Sequence, residues 1–80
     1  MMNTRKVTGV QPCPGFRLKL EFDNAETRYF DVTPYLDKGI FKELKNEDYF
    51  HQVTVRFDGV AWPNHQDLSP DTLYLLGTPL

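Results

Sequence analysis

One seven-residue segment constrains the fold of this chain more than any other. Residues 16–22 read Phe-Arg-Leu-Lys-Leu-Glu-Phe, so apolar and charged side chains alternate strictly. A period of two places successive side chains on opposite faces of a β-strand, whereas an amphipathic helix needs a period near 3.6. The segment therefore predicts a half-buried strand with one face on the core. That face consists of Phe16, Leu18, Leu20 and Phe22.

A second strand, at residues 27–32, is expected to return antiparallel to the first. Its register follows from the need to share one buried face. A three-residue loop at 23–25 pairs Leu18 with Phe30, whereas an even loop would turn every side chain to the wrong face. The third residue of such a loop often has a left-handed backbone, for which Ala25 is a poor fit.

The segment before these strands predicts one more strand. Residues 7–11 have the composition of a first strand. The prolines of residues 12–15 cannot donate to a sheet, so this strand is expected to end there. The same stretch, Pro-Cys-Pro-Gly, predicts the turn into the next strand.

Residues 33–50 predict two short helical turns rather than one long helix. Thr33 before Pro34 has the pattern of a helix N-cap followed by proline at the first position. Asn46, which precedes two acidic residues, predicts a second capped start. Apolar side chains at helical spacing lie between the two, at Ile40, Phe41 and Leu44.

A hairpin and a helix complete the predicted order. Residues 53–57 alternate again, and Asp58-Gly59 predicts a tight turn into the next strand. Ser69 predicts the N-cap of a last helix, which is expected to end before Gly77. The fold class is therefore expected to be α+β. Its small antiparallel sheet should have about five strands, in the order βββ, short helices, ββ, short C-terminal helix.

Size and composition exclude several classes of protein. Eighty residues, of which 40% are hydrophobic, predict a single domain over residues 1–80 with one thin core. A net charge of −2 argues against non-specific nucleic-acid binding. The single cysteine, Cys13, allows no intramolecular disulfide, which favours the cytoplasm. No apolar run approaches the roughly 20 residues of a membrane span, and the N-terminus does not resemble a signal peptide.

Residues that carry catalysis or bind metals are few, and each has a local explanation. His51 and His65 are the only histidines, and with Cys13 they match no metal-ligand spacing. Asp67 lies in a predicted loop and Asp71 at a predicted helix N-terminus. No glycine-rich phosphate loop and no hydroxyl–His–acid arrangement can be specified. We therefore expect no catalytic residue, metal or cofactor, and no enzyme activity.

The segment from Trp62 to Asp71 is the candidate recognition surface. It is polar and turn-rich and contains the only tryptophan, a residue enriched at binding hot spots. The candidate residues are Trp62, Asn64, His65, Asp67, Asp71 and Tyr74. The alternative is that Trp62 belongs to the core and the following residues cap the last helix. The sequence leaves both interpretations open.

The outer face of the predicted sheet offers a second, weaker candidate. Arg17, Lys19 and Tyr29 share this face, and basic residues beside an aromatic can contact nucleic acid. An ordinary solvated sheet face explains the same residues. Nucleic-acid binding is therefore kept only as a weak alternative.

The motifs together resemble a known family. They are Phe16-x-Leu18-x-Leu20-x-Phe22, Asp31-Val32-x-Pro34, Phe41-x-x-Leu44, Phe50-x-x-Val53, Trp62-Pro63-Asn64, Asp67-Leu68-x-Pro70-Asp71 and Leu73-Tyr74. This pattern is similar to that of the bacterial domain-of-unknown-function family 2442, over nearly the whole chain. Its most specific part is the block at residues 62–74. The resemblance implies glycine at the positions of Ala25 and His65, where this chain departs from the family.

The resemblance implies an interaction module rather than an enzyme. The family has no established activity, so it supplies no catalytic residues. Some members resemble this domain joined to a helix-turn-helix, and others are encoded beside another small protein, in an arrangement similar to toxin–antitoxin pairs. We expect a non-enzymatic protein-interaction or regulatory module, antitoxin-like, a partner of a small protein, or a homodimer. The alternatives are a small-ligand binder or minor enzyme using the 62–71 loop, and a weak nucleic-acid binder.

Overall fold

Residues 5–79, which the computed structural model describes, form seven strands, two short α-helices and two 3₁₀ helices. In chain order these are β1 (Val7–Cys13), β2 (Arg17–Phe22), β3 (Thr27–Asp31), 3₁₀ helices at Thr33–Tyr35 and Gly39–Lys45, α1 (Glu47–Phe50), β4 (Thr54–Arg56), β5 (Gly59–Ala61), β6 (Asp67–Leu68), α2 (Pro70–Leu76) and β7 (Thr78–Pro79). The expectation about a signal peptide includes Met1 to Thr4, which lie outside the described residues. None of the described helices is long and apolar enough to cross a membrane.

The strands lie in two antiparallel sheets, which confirms the predicted α+β class. One sheet has the order β1–β2–β3–β7 and the other the order β4–β5–β6. The described residues form seven strands, whereas about five were predicted. The prediction falls short because β6 and β7 have only two residues each. Strands so short leave no readable period in the sequence. Both sheets contribute to one apolar core, which includes Leu18, Leu20 and Phe22 from β2.

The β2–β3 hairpin has the register that the alternation predicted. Leu18 pairs with Phe30 across the two strands. The three-residue loop is closed by hydrogen bonds at Phe22, whose carbonyl oxygen accepts from the Ala25 N–H at 3.0 Å. The Phe22 N–H donates to the Glu26 carbonyl oxygen at 2.9 Å. Ala25 has φ +69°, so the left-handed position falls on a residue with a Cβ, as expected.

Replacing Ala25 with glycine is expected to stabilise the protein by up to about 1 kcal/mol. A left-handed backbone costs an L-residue about 1–2 kcal/mol, and the greater freedom of glycine in the unfolded chain offsets part of this gain. Urea denaturation measures the difference. The matched control is Ala61→Gly in β5, where φ is not positive and a loss of about 0.5–1 kcal/mol is expected. A loss of stability in both variants would contradict the interpretation.

β1 is longer than predicted, and the turn that follows comes later. The prolines were expected to end the strand, but β1 continues through Pro12 and Cys13. The prediction was wrong because β1 is an edge strand, where a residue without an N–H is tolerated. Phe16, expected to begin β2, lies in the turn with φ +59°. Its ring still packs edge-on against Phe50, with centroids 5.3 Å apart.

The caps of the helical region were predicted correctly at one of two positions. Asn46 caps α1, since its Oδ1 accepts from the Tyr49 N–H at 3.2 Å. Thr33 does not act as a cap. Its backbone N–H and its hydroxyl instead donate to Oδ1 of Asp31, at 3.0 and 2.8 Å. The N-cap position is Val32, which has no side-chain cap, and the Asp31 carboxylate accepts from the first N–H of the helix instead.

The apolar residues of the second 3₁₀ helix do not share one face. Leu44 is fully buried and Phe41 is partly buried, whereas Ile40 is 58% exposed. A 3₁₀ helix has three residues per turn, so positions 41 and 44 align and position 40 points away. The prediction from α-helical spacing was therefore wrong for Ile40.

α2 begins and ends as predicted. The Ser69 Oγ accepts from the Thr72 N–H at 3.2 Å, and Pro70 is the first helical residue. The helix ends at Gly77, where an added Cβ would lie 2.5 Å from the Leu73 carbonyl oxygen. Leu73 is fully buried and anchors the helix in the core.

Candidate interaction surface

β4 and β5 are joined by a two-residue turn, Phe57-Asp58, and Phe57 does not favour the left-handed backbone that this turn requires. Phe57 and Asp58 have φ +50° and +66°, positive at both central positions as in a type I′ turn. The predicted turn, Asp58-Gly59, was wrong by one residue. Gly59 instead begins β5, where an added Cβ would overlap the Leu68 carbonyl oxygen. The close approach of β6 requires the glycine, and the turn falls on its two predecessors.

The ring of Phe57 projects from this turn into solvent. Phe57 is 85% exposed, and Val55, in the alternating segment 53–57, is 40% exposed. The Arg56 guanidinium carbon lies 5.5 Å from the centre of the Phe57 ring. Together with its neighbours on the following turn, this region forms what we call the hairpin-tip surface. It consists of Val55, Arg56, Phe57, Asp58, Pro63, His65 and Asp67.

Trp62 lies beneath the hairpin-tip surface, in the core. It is 3% exposed. Its Nε1–H donates to the Phe50 carbonyl oxygen at 2.9 Å, and the two rings lie 5.9 Å apart. The sequence left two interpretations of Trp62 open, and in the structure this residue belongs to the core.

The turn after Trp62 is closed by its own backbone. The Trp62 N–H donates to the Gln66 carbonyl oxygen at 2.9 Å, and the His65 N–H donates to the Trp62 carbonyl oxygen at 3.3 Å. His65 has φ +79°. It is one of the two positions at which the resemblance implied glycine, and the left-handed backbone explains that preference.

A buried glutamine that the sequence analysis did not single out holds this turn in place. Gln66 is 1% exposed, and its Oε1 accepts from the Tyr49 hydroxyl at 2.6 Å. Its Nε2 donates to the Ile40 carbonyl oxygen at 2.8 Å and to Glu43 Oε1 at 3.0 Å. The Tyr49 hydroxyl also accepts from the Asn64 N–H at 2.8 Å. These partners lie far away in the sequence, so no local pattern marks Gln66.

The six predicted surface residues do not form one patch. Three are exposed on or beside the turn above Trp62: Asn64, His65 and Asp67. Asp71 is exposed at the start of α2, and Tyr74 is half-buried later in the same helix. The structure therefore brings His65 and Asp67 together with Phe57, whereas the Asn64 side chain donates to Glu43 Oε2 at 2.8 Å. Tyr74 lies apart from them.

Tyr74 belongs to a polar cluster that attaches α2 to β3. Its hydroxyl donates to Glu26 Oε2 at 2.9 Å, and Arg28 lies 3.9 Å above its ring. Arg28 also donates to the Tyr74 carbonyl oxygen at 3.1 Å and forms an ion pair with Glu26. The hydrogen bond from Tyr74 and the charge-assisted bond from Arg28 hold the pKa of Glu26 below its usual value. The contacts of Tyr74 are thus intramolecular.

A groove of about 220 Å³ separates the hairpin tip from the turn. Its lining includes Arg56, Phe57, Ala61, Pro63 and Asp67. Trp62, His65 and Gln66 also line it, so the groove is part apolar and part polar, with one positive and one negative side chain, Arg56 and Asp67. Within residues 5–79, no group of three or more His, Cys, Asp or Glu side chains is arranged to hold a metal ion.

The outer face of the β1–β2–β3–β7 sheet, the weak candidate for nucleic-acid binding, carries both positive and negative side chains. Arg17 pairs with Asp31 across β2 and β3, and Lys19 pairs with Tyr29. A groove of about 490 Å³ opens beside Arg17 and Tyr29. On this face Arg17 and Lys19 are followed by Glu21 on β2 and lie beside Asp31 on β3, so they form no continuous positive stripe among the described strands.

Comparison with known proteins identifies a family and nothing closer. A family model described as "Protein of unknown function (DUF2442)" matches residues 7–79. No curated protein and no solved structure matches the chain. The matched residues include both sheets, the Trp62 turn and the hairpin-tip surface.

Proposed function

The chain belongs to the DUF2442 family of proteins of unknown function, and we propose that it acts as a non-enzymatic protein-interaction module. The contact is made through the hairpin-tip surface. The observation that carries the proposal is Phe57, an exposed aromatic residue held in a left-handed turn.

Phe57 lowers the stability of the isolated chain in two ways. Its backbone conformation costs an L-residue about 1–2 kcal/mol. Its ring meets water, although burying such a side chain contributes about 1.5–3 kcal/mol. Strain of this kind is concentrated at functional sites. A partner that covers the ring recovers the burial, and aromatic residues are enriched in interface cores for this reason.

The surroundings of Phe57 suit a pre-organised interface. The turn beside it is held from below by Trp62 and by the hydrogen bonds of Gln66. A surface held in its bound shape loses less conformational entropy on association. Arg56, Asp58 and Asp67 supply the polar rim that surrounds the apolar centre of a typical interface.

The cellular compartment that we propose is inferred from the amino-acid sequence. The single cysteine favours the cytoplasm. A regulatory, antitoxin-like role with a small protein partner, or self-association, is consistent with an interaction module of this size. In each case the hairpin-tip surface makes the contact.

Photo-cross-linking in the cell of origin tests the proposal. A benzophenone amino acid replaces Phe57 in one version of the full chain and Leu75 in the control. Leu75 is also an exposed apolar residue, 76% exposed, but lies on α2. We expect a covalent protein adduct from position 57 and none from position 75. Absence of any adduct at position 57 would contradict the proposed function.

A further inference from the structure

We infer that the partner seated on the hairpin-tip surface is a second copy of this chain, in a two-fold dimer where each Phe57 enters the groove of the other copy. The inference rests on the proposed function, since it names the partner of the same surface. It follows from two properties of the surface, its shape and its charge.

The hairpin-tip surface carries both a projection and a recess. Phe57 is 85% exposed, and the groove of about 220 Å³ lies directly beside it. In a two-fold interface the same patch is used by both copies, so any residue that protrudes must find its recess on the same patch. A ring at the border of a groove whose lining includes Ala61, Trp62 and Pro63 meets that condition. Each copy then completes the groove of the other with Phe57.

The charges at the borders of the groove are complementary under the same rotation. Arg56 and Asp67 both line the groove. Among the ion pairs of residues 5–79, neither side chain has a partner. Arg56 precedes Phe57 in the chain, so a rotation that seats Phe57 in the opposing groove brings Arg56 of one copy toward Asp67 of the other, twice. A surface of one sign would instead select a partner of opposite sign.

A charge exchange tests the dimer directly. Sedimentation equilibrium of the purified full chain, from micromolar to millimolar concentration, is expected to show reversible dimers. Arg56→Glu and Asp67→Arg are each expected to weaken self-association at least tenfold, because like charges then face each other. An equal mixture of the two variants restores both opposite-charge pairs and is expected to form heterodimers. Glu21→Arg, an equal charge change on β2, serves as the control and should associate like the unaltered chain.

Two outcomes overturn the inference. One is a chain that stays monomeric at millimolar concentration. The other is a dimer that both charge reversals leave unchanged. Cross-linking separates these failures from a failure of the proposed function. An adduct at position 57 of about twice the 9.3 kDa chain mass supports the dimer. An adduct with a different protein and a monomeric purified chain refute the dimer and leave the interaction module standing.

Discussion

Replacing Trp62 with alanine is expected to lower the free energy of unfolding by about 3–5 kcal/mol. Trp62 is 3% exposed and packs against Phe50, so its removal leaves a cavity in the core. It also leaves the Phe50 carbonyl oxygen without its indole donor. Equilibrium denaturation followed by far-ultraviolet circular dichroism measures the loss.

Two further variants make the Trp62 result interpretable. Phe57→Ala removes an aromatic ring that is exposed rather than buried, and it is expected to change the free energy of unfolding by no more than about 0.5 kcal/mol. Trp62→Phe keeps part of the packing and loses the indole hydrogen bond, so an intermediate loss is expected. The Trp62→Phe variant gives a measurable free energy of unfolding even where the Trp62→Ala variant does not fold. An equal cost for Phe57→Ala and Trp62→Ala would refute the assignment of one to the core and the other to the surface.

Gly59→Ala is expected to destabilise the protein by about 1–3 kcal/mol, although only one methyl group is added. The new Cβ would overlap the Leu68 carbonyl oxygen and lie 3.2 Å from the backbone nitrogen of Pro70. Both are backbone atoms, the first in β6 and the second at the start of α2. They can move only if the pairing of Val60 with Leu68 opens. Chemical and thermal denaturation both report the loss.

The same substitution at Gly9 provides the control. Gly9 also lies in a strand, but an added Cβ would meet its nearest neighbour, Glu21 Oε1, at 3.6 Å, an ordinary contact. Its φ is not positive. We expect Gly9→Ala to leave stability unchanged or to raise it slightly. A loss at Gly9 as large as that at Gly59 would show that the close approach of β6 is not the cause.

Local patterns were enough to predict the β2–β3 hairpin and α2. The alternation of Leu18 and Leu20 with charged residues sets the buried face, and the same face fixes the register with Phe30. Ser69 and Gly77 mark the ends of α2 because caps act on backbone groups within a few residues. Both elements depend on neighbours close in the chain.

The candidate site could be predicted only in part. Asn64, His65 and Asp67 were singled out from the turn-rich composition, and all three are exposed, with His65 and Asp67 beside the hairpin tip. Phe57 was read only as the last residue of the alternating segment 53–57, and the structure has it exposed in the turn after β4. Gln66 was overlooked because its hydrogen-bond partners are 17 to 26 residues away.

The sequence by itself determined the α+β class, the hairpin register, the capped helix and the family. Each follows from a periodicity or a motif that is complete within a short stretch. Only the tertiary structure decided that Trp62 is buried and that Phe57 is exposed. The reason is steric and distant in the chain. Leu68 approaches Gly59 so closely that only glycine fits in β5 there, while the turn falls on Phe57 and Asp58 and leaves the Phe57 ring exposed.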